Sequence, residues 1–272
     1  MSLRFAYNTN GLQSHRLEDA LDLLAGAGYA GVSLTLDHMH LDPLRATALD
    51  LERVRRALEK RDLGCGVETG ARFLLDPARK HRPTLVEKDA LGRAKRLDLL
   101  LRSVEVAAAI GAESVTFASG PRDPEVPVEA ALLFLVEAIE RLSERARALE
   151  VALALEPEPG HLPATLSLWK RVKESVPVGL ALDVTHLSVE EPEPDAAHVI
   201  RAFAADLAVV HLADCPRGVH DHRPFGEGDL DFRAVVRALE EIRFPGLVSV
   251  ELSRHSHAAH ELVPASIASL RA

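Results

Sequence analysis

Short apolar runs alternate with longer amphipathic stretches from one end of the chain to the other. Leu3 to Asn8 predicts a buried strand, and Leu17 to Ala27 a helix with Leu17, Ala20, Leu21 and Leu24 on one face. Gly28 and Gly31 mark the return to a second strand, Val32 to Leu36, whose polar exit carries His38 and His40. A helix from about Leu49 to Lys60 and a strand from Gly64 to Glu68 repeat the unit. A long basic loop with Arg72, Arg79, Lys80, His81 and Arg82 leads to a helix of about Lys88 to Ile110 and a strand at Ser114 to Ala118. The most regular stripe follows: Val128, Ala131, Leu132, Leu135, Val136, Ile139, Leu142, Ala146 and Leu149 share one helical face. The second half predicts strands at Val151 to Leu155, Gly179 to Leu182, Ala208 to His211 and Leu247 to Val250. Helices near Leu166 to Glu174 (with Trp169 as outer packing), Ala196 to Ala204, Asp231 to Ile242 and Ala258 to Leu270 complete the alternation. The acidic, proline-rich segment Glu190 to Asp195 reads as an exposed loop.

Eight strands, each followed by a helix at roughly 31 residues per unit, predict a (β/α)8 TIM barrel, a single domain spanning residues 1–272. An open doubly wound sheet is the alternative, but the first βα turn, Tyr7-Asn8-Thr9-Asn10-Gly11, lacks the GxGxxG of a dinucleotide site. Hydrophobic residues make up 47% of the chain and aromatics only 4%, so aliphatic side chains and alanine must fill the core. A formal charge of −9 argues against nucleic acid as a partner. No apolar run approaches the ~20 residues of a membrane span, and Met1 to Arg4 leads into a strand without a signal-peptide core. Cys65 and Cys215 stand far apart and read as reduced thiols, the usage expected of a cytoplasmic protein.

The late strands finish on chemistry-bearing residues. Glu156, Asp183, His211 and Glu251 follow the fifth to eighth strands at spacings of 27, 28 and 40 residues. A closed barrel aims all four at one end. Three carboxylates brought together there repel one another, and a divalent cation removes the conflict. One imidazole and three carboxylates suit Mn²⁺ first, with Mg²⁺, Co²⁺ or Zn²⁺ as alternatives. The stretch after His211 is the richest in polar groups: Asp214, Arg217, His220, Asp221, His222 and Arg223 precede a Gly226-Glu227-Gly228 turn.

Six pieces, GYAGVSL (28–34), ALEPEPG (154–160), GLALDVTH (179–186), VVHLAD (209–214), GEGDLDF (226–232) and GLVSVEL (246–252), carry a resemblance. In order and spacing the chain resembles the xylose-isomerase-like TIM barrels of the sugar phosphate isomerase/epimerase superfamily, which includes ketose 3-epimerases and inosose isomerases and dehydratases. The resemblance implies that Glu156, Asp183, His211 and Glu251 hold one divalent metal, that Glu156 and Glu251 also move protons, and that His186 and Arg217 contact substrate oxygens. Glu68, Glu158 and His222 join them as candidates for substrate contact. The resemblance also implies a homodimer or tetramer. At the position six beyond Glu156, where the ketohexose epimerases carry a further glutamate, this chain has Leu162.

The chemistry expected is aldose–ketose isomerisation or epimerisation of a sugar or sugar phosphate, by proton transfer through a metal-held enediolate. Dehydration of an inosose-like polyol ketone shares that intermediate and stays open. Metal-assisted phosphodiester hydrolysis, as in the apurinic-site endonucleases of the same barrel type, is weaker: strands three and four end in Glu68-Thr69 and Ser119-Gly120, where those enzymes supply histidines. A barrel that binds without catalysing is disfavoured by the presence of both Glu156 and Glu251.

Overall fold

The computed structural model describes residues 2–70, 72–191 and 195–272. Its eight strands, β1 Arg4–Asn8, β2 Gly31–Thr35, β3 Gly64–Glu68, β4 Ser114–Phe117, β5 Ala152–Leu155, β6 Gly179–Asp183, β7 Leu207–Leu212 and β8 Leu247–Val250, pair in parallel in chain order. β8 returns to β1, with Ala6 beside Ser249, and closes the barrel. Helices α1 Leu17–Ala27, α2 Ala48–Glu59, α3 Ala90–Ile110, α4 Val128–Ala148, α5 Leu166–Ser175, α6 Val184–Glu190, α7 Ala196–Ala202, α8 Phe232–Glu241 and α9 Ala259–Arg271 belong to the outer layer.

The expected elements are found within two or three residues of their predicted ends, and the caps show why the ends fall where they do. Asp89 accepts from the Leu91 and Gly92 amides and so starts α3 two residues later than the apolar pattern suggests. Thr47 and Asp50 form a reciprocal capping box on α2. Among the described residues, α6 is the one α-helix that the pattern misses, beside two short 3-10 turns at Thr9–Leu12 and Ser256–Ala258. Asp183 caps α6 through the Thr185 amide, and seven residues are too few to establish a periodicity. Of the expected loop at 190–195, residues 192–194 lie outside those described; Glu190 is the last residue of α6 instead.

Strand alternation divides the protein into two cores. Phe5, Tyr7, Val32, Leu34, Cys65, Val67, Val115, Phe117, Leu180, Leu182, Val210, Leu212, Val248 and Val250 belong to the large apolar cluster shared with the helices, where Trp169 is fully buried edge-on to Phe203. The other strand face is small: Ala154, Ala181 and Val209 form a separate cluster, Ser33 pairs with Gly66, and Ala6 lies between Gly31 and Ser249 by register. Two residues further along those same faces come Glu68, Glu156, Asp183, His211 and Glu251. The narrow, small-residue interior is thus the base on which the polar end stands.

Gly31 tests that packing. An added Cβ there would stand 2.8 Å from both the Gly64 carbonyl oxygen and Leu247 Cδ2. Gly31→Ala is expected to lower unfolding free energy by about 1–3 kcal/mol through overpacking, read from equilibrium urea melts. An unchanged melt would mean that the lower barrel has room to spare.

Candidate functional site

The polar residues at the C-terminal end of the barrel meet around His211. Its Nδ1 lies 3.2 Å from Glu156 Oε1 and 3.3 Å from Glu251 Oε2, so the two glutamates flank one ring atom. Asp183 neighbours His211 across the β6–β7 ladder. Possible ligand atoms of Glu156, Asp183 and His211 lie within 4.8 Å of one another, as do those of Asp183, His222 and Glu251. His211 and Asp183 are 1% and 2% exposed, so little water reaches the charges.

Hydrogen bonds fix several orientations. The Thr185 hydroxyl donates to Asp183 Oδ1 at 2.7 Å, since a carboxylate can only accept. Its oxygen, 2.9 Å from His222 Nε2, therefore accepts from that nitrogen. His222 Nδ1 is buried, makes no hydrogen bond among the described residues, and lies 3.8 Å from Glu251 Oε1. His186 Nδ1 likewise donates to the Pro157 carbonyl at 3.1 Å, which turns Nε2 toward Asp183 Oδ2, 3.6 Å away. Asp183 Oδ2 is also buried without a hydrogen-bond partner.

The electrostatics follow from this crowding. Burial opposes charge on His211, yet Glu156 and Glu251 hold its pKa up at about 10. Burial raises the Glu156 carboxyl despite His211 beside it. Asp183 goes the other way: burial is outweighed by His186, His222 and His211, which hold its carboxyl well below the usual range. Burial, then Glu251 and Glu156, push Glu68 up to about 7. Glu158 is held down at about 2 against burial by His161, whose Nδ1 is 2.8 Å from its Oε2.

Above these groups opens a pocket of about 160 Å³, lined by Glu68, Glu156, Glu158, His186, His222 and Glu251 among others. A larger cleft of about 1150 Å³ lies outside the barrel end, along α6, α7 and α8. Its volume reflects an open groove; none of the four candidate metal ligands lines it, and the smaller pocket is the chemically competent one.

A family model described as "Xylose isomerase-like TIM barrel" matches residues 21–272. The chain belongs to that family. No curated protein matches it in sequence. Among solved structures it is similar to an L-ribulose 3-epimerase (TM-score 0.79, 20% identity, covering 99% of this chain and 93% of that one). It is also similar to the 3-keto-D-glucoside 4-epimerase YcjR from E. coli (0.78, 18%, 99% and 99%) and to IOLI protein with a bound zinc atom (0.77, 19%, 99% and 96%). At these identities the likeness establishes the fold.

Eight of the nine site residues expected from sequence are brought together at this end of the barrel. Arg217 is the exception: it is exposed and lines the outer cleft, because the chain turns away at Pro216–Val219 and the Arg217 amide is tied to Asp229 Oδ2 at 3.0 Å. His220 faces His186 in its place, with ring centroids 4.8 Å apart. His38 is exposed beside Asp37, and His40 Nε2 is 3.1 Å from the His15 carbonyl oxygen; neither lines the pocket. Leu162 is a core residue, 4% exposed.

Asn8 and Asn10 are additions that the sequence reading passed over. Asn10 Nδ2 donates to Glu251 Oε1 at 2.7 Å, and Asn8 Nδ2 is 3.4 Å from Oε2. Their signal was present, as amides at the exit of the first strand. Asp214, by contrast, serves the backbone. Its Oδ1 accepts from the Cys215 and Leu230 amides at 2.8 and 3.1 Å, and its Oδ2 from Gly226 at 2.8 Å. A Cβ at Gly228 would collide with Asp214 Oδ1, which accounts for the second glycine of the turn. Asp214→Ala is expected to cost about 1.5–3 kcal/mol, as buried amides lose a charged acceptor. Urea melts and limited proteolysis should show the loss together with new cleavage between residues 216 and 228.

Proposed function

We propose that this protein is a divalent-metal-dependent isomerase or epimerase of a small sugar, sugar phosphate or polyol ketone, moving a proton at a carbon next to a carbonyl. The observation that carries the reading is the pair of carboxylates, Glu156 and Glu251, flanking one point from β5 and β8 at 3.2 and 3.3 Å from His211 Nδ1. The similar structures, sugar 3- and 4-epimerases among them, support it.

The residues present fit a divalent cation. Asp183 Oδ2 is a buried carboxylate oxygen with no hydrogen-bond partner, and the cluster calls for positive charge strongly enough to raise the pKa of His211 to about 10. Glu156, Asp183, His211 and Glu251 would hold the ion, and three oxygens with one nitrogen suit Mn²⁺, Mg²⁺, Co²⁺ or Zn²⁺. When bound, such an ion supplies Lewis acidity toward a carbonyl and its neighbouring hydroxyl.

The chain's own groups divide the remaining work. Glu251, steered by the Asn10 and Asn8 amides, offers a carboxylate oriented to take a C–H proton. Glu156, whose burial favours the protonated form, stands across the site to return one. Return to the opposite face of the same carbon gives an epimer; delivery to the adjacent carbon gives an isomer. His186 and His222 present ring nitrogens, and Glu68 and Glu158 carboxyl groups, to the substrate's hydroxyls. Expulsion of a β-hydroxyl from the same enediolate would make the enzyme a dehydratase.

A second reading, metal-assisted phosphodiester hydrolysis, draws on one further observation: His186, His220 and His222 bring possible ligand atoms within 4.8 Å of one another. Metal content separates the two. Elemental analysis of purified protein is expected to give one divalent ion per chain, lost on chelation; two or three zinc ions would favour hydrolysis.

The reaction itself is tested by substrate C–H exchange in D₂O, followed by NMR across ketoses, their phosphates and inososes. Glu156→Gln and Glu251→Gln are each expected to lower exchange by about 10²–10⁴-fold while leaving circular dichroism unchanged. Full exchange in either variant would remove that residue from proton transfer.

A further inference from the structure

The mouth pocket carries opposite charges at its floor and its rim. Glu68, Glu156, Glu158 and Glu251 lie among its lining below, and Arg72, Lys80 and Arg254 complete it at the edge. Arg254 is engaged, since its Nη1 donates to Asp221 Oδ1 at 3.1 Å. Among the described residues, the side chains of Arg72 and Lys80 make neither a hydrogen bond nor an ion pair. Several other cations do answer acids: Arg55 meets Glu52 and Glu59, Arg61 meets Asp22, and Arg201 meets Glu241. What sets Arg72 and Lys80 apart is their place: in a chain whose net charge is −9, they line the same pocket as four glutamates.

The fold takes trouble to hold them there. The His81 amide donates to the Arg72 carbonyl at 2.6 Å, and His81 Nδ1 donates to the Gly70 carbonyl at 2.5 Å. His81 also packs edge-on against His161, which belongs to the segment after β5. This clip makes neighbours of two cations that are eight residues apart in the chain. The floor acids already have company: Glu156 and Glu251 face His211, and Glu158 faces His161. Glu68 folds back on its own loop, where a Cβ at Gly70 would stand 2.8 Å from its Oε1. Arg72 is near enough to favour the ionised form of Glu68 without touching it.

We infer that Arg72 and Lys80 form an anion subsite, and that the substrate is a small polyhydroxylated compound carrying a phosphate or carboxylate at the end remote from its reacting carbons. This rests on the proposed sugar chemistry of the same pocket and narrows it. A neutral hydroxyl would be served as well by a carboxylate acceptor or an uncharged amide, whereas an arginine fork beside a lysine matches an oxyanion, with charge-assisted hydrogen bonds roughly twice as strong as neutral ones. The acidic floor then sets the orientation. It repels the anionic end and leaves the neutral carbonyl end to enter first.

Unreactive polyols test this without turnover. Calorimetric titration of the metal-loaded protein with D-arabinitol, D-arabinitol 5-phosphate and D-arabinonate compares ligands of similar shape and different charge. One or both anions are expected to bind at least about ten-fold tighter than D-arabinitol, and which of them does so distinguishes phosphate from carboxylate recognition. In the double variant Arg72→Gln/Lys80→Gln the ratio should collapse toward one, while Lys60→Gln, at the far end of the barrel, should leave it unchanged. Thermal melts confirm that each variant is folded. Equal or weaker binding of both anions, no binding of any of the three, or a ratio that survives the double variant would overturn the assignment. Because none of these ligands has an aldehyde or ketone carbonyl, the result is independent of D₂O exchange, whose absence would count against the isomerase reading instead.

Discussion

Three carboxylates share the C-terminal end of the barrel with one imidazole, at distances that the groups would not choose for themselves. Glu156 and Glu251 each approach His211 Nδ1 closely, and Asp183 lies on the adjacent strand of the same ladder. Hydrogen-bonded strands in a closed register impose that proximity, because each side chain continues an inward-facing row begun by Ala154, Ala181, Val209 or Ser249. The repulsion so created is the source of the site's chemistry. Burial, with the neighbouring carboxylates, raises the proton affinity of Glu156 and Glu68, the same carboxylates raise that of His211 against burial, and the crowding makes a cation the natural partner of the cluster.

Around that charged floor the loops divide into supports and contacts. Asp214 sits at the start of the loop after β7 but spends both oxygens on backbone amides, shaping the path that delivers His220 and His222. Thr185 links Asp183 to His222 and leaves the other nitrogen of that ring facing Glu251. The loop after β3 is clipped by His81 and carries Arg72 and Lys80 to the pocket. On the proposed reading, the reacting groups stand on rigid strand ends and selectivity is left to the segments that follow them.

Much of this was legible in the chain. The alternation of short apolar runs with amphipathic stretches determined the barrel, since eight such units leave few other ways to bury both faces of the strands. The strand ends Glu156, Asp183, His211 and Glu251 were readable because a period of two carries a residue's direction along a strand once its neighbours are known to be inside. The family pieces in their order reinforced the same reading.

What the chain alone did not determine is where loop side chains go. Arg217 and His220 stand three residues apart in one polar run, yet one lines the outer cleft and the other meets His186, because a turn and the Asp229 contact decide the path between them. Asn8 and Asn10 acquired meaning only when β1 closed against β8 and brought their amides to Glu251. Arg72 and Lys80 became a pair only through the His81 clip. Local sequence specifies which residues lie on a strand's inner face; contacts between segments distant in sequence exist only after the ring of strands has closed.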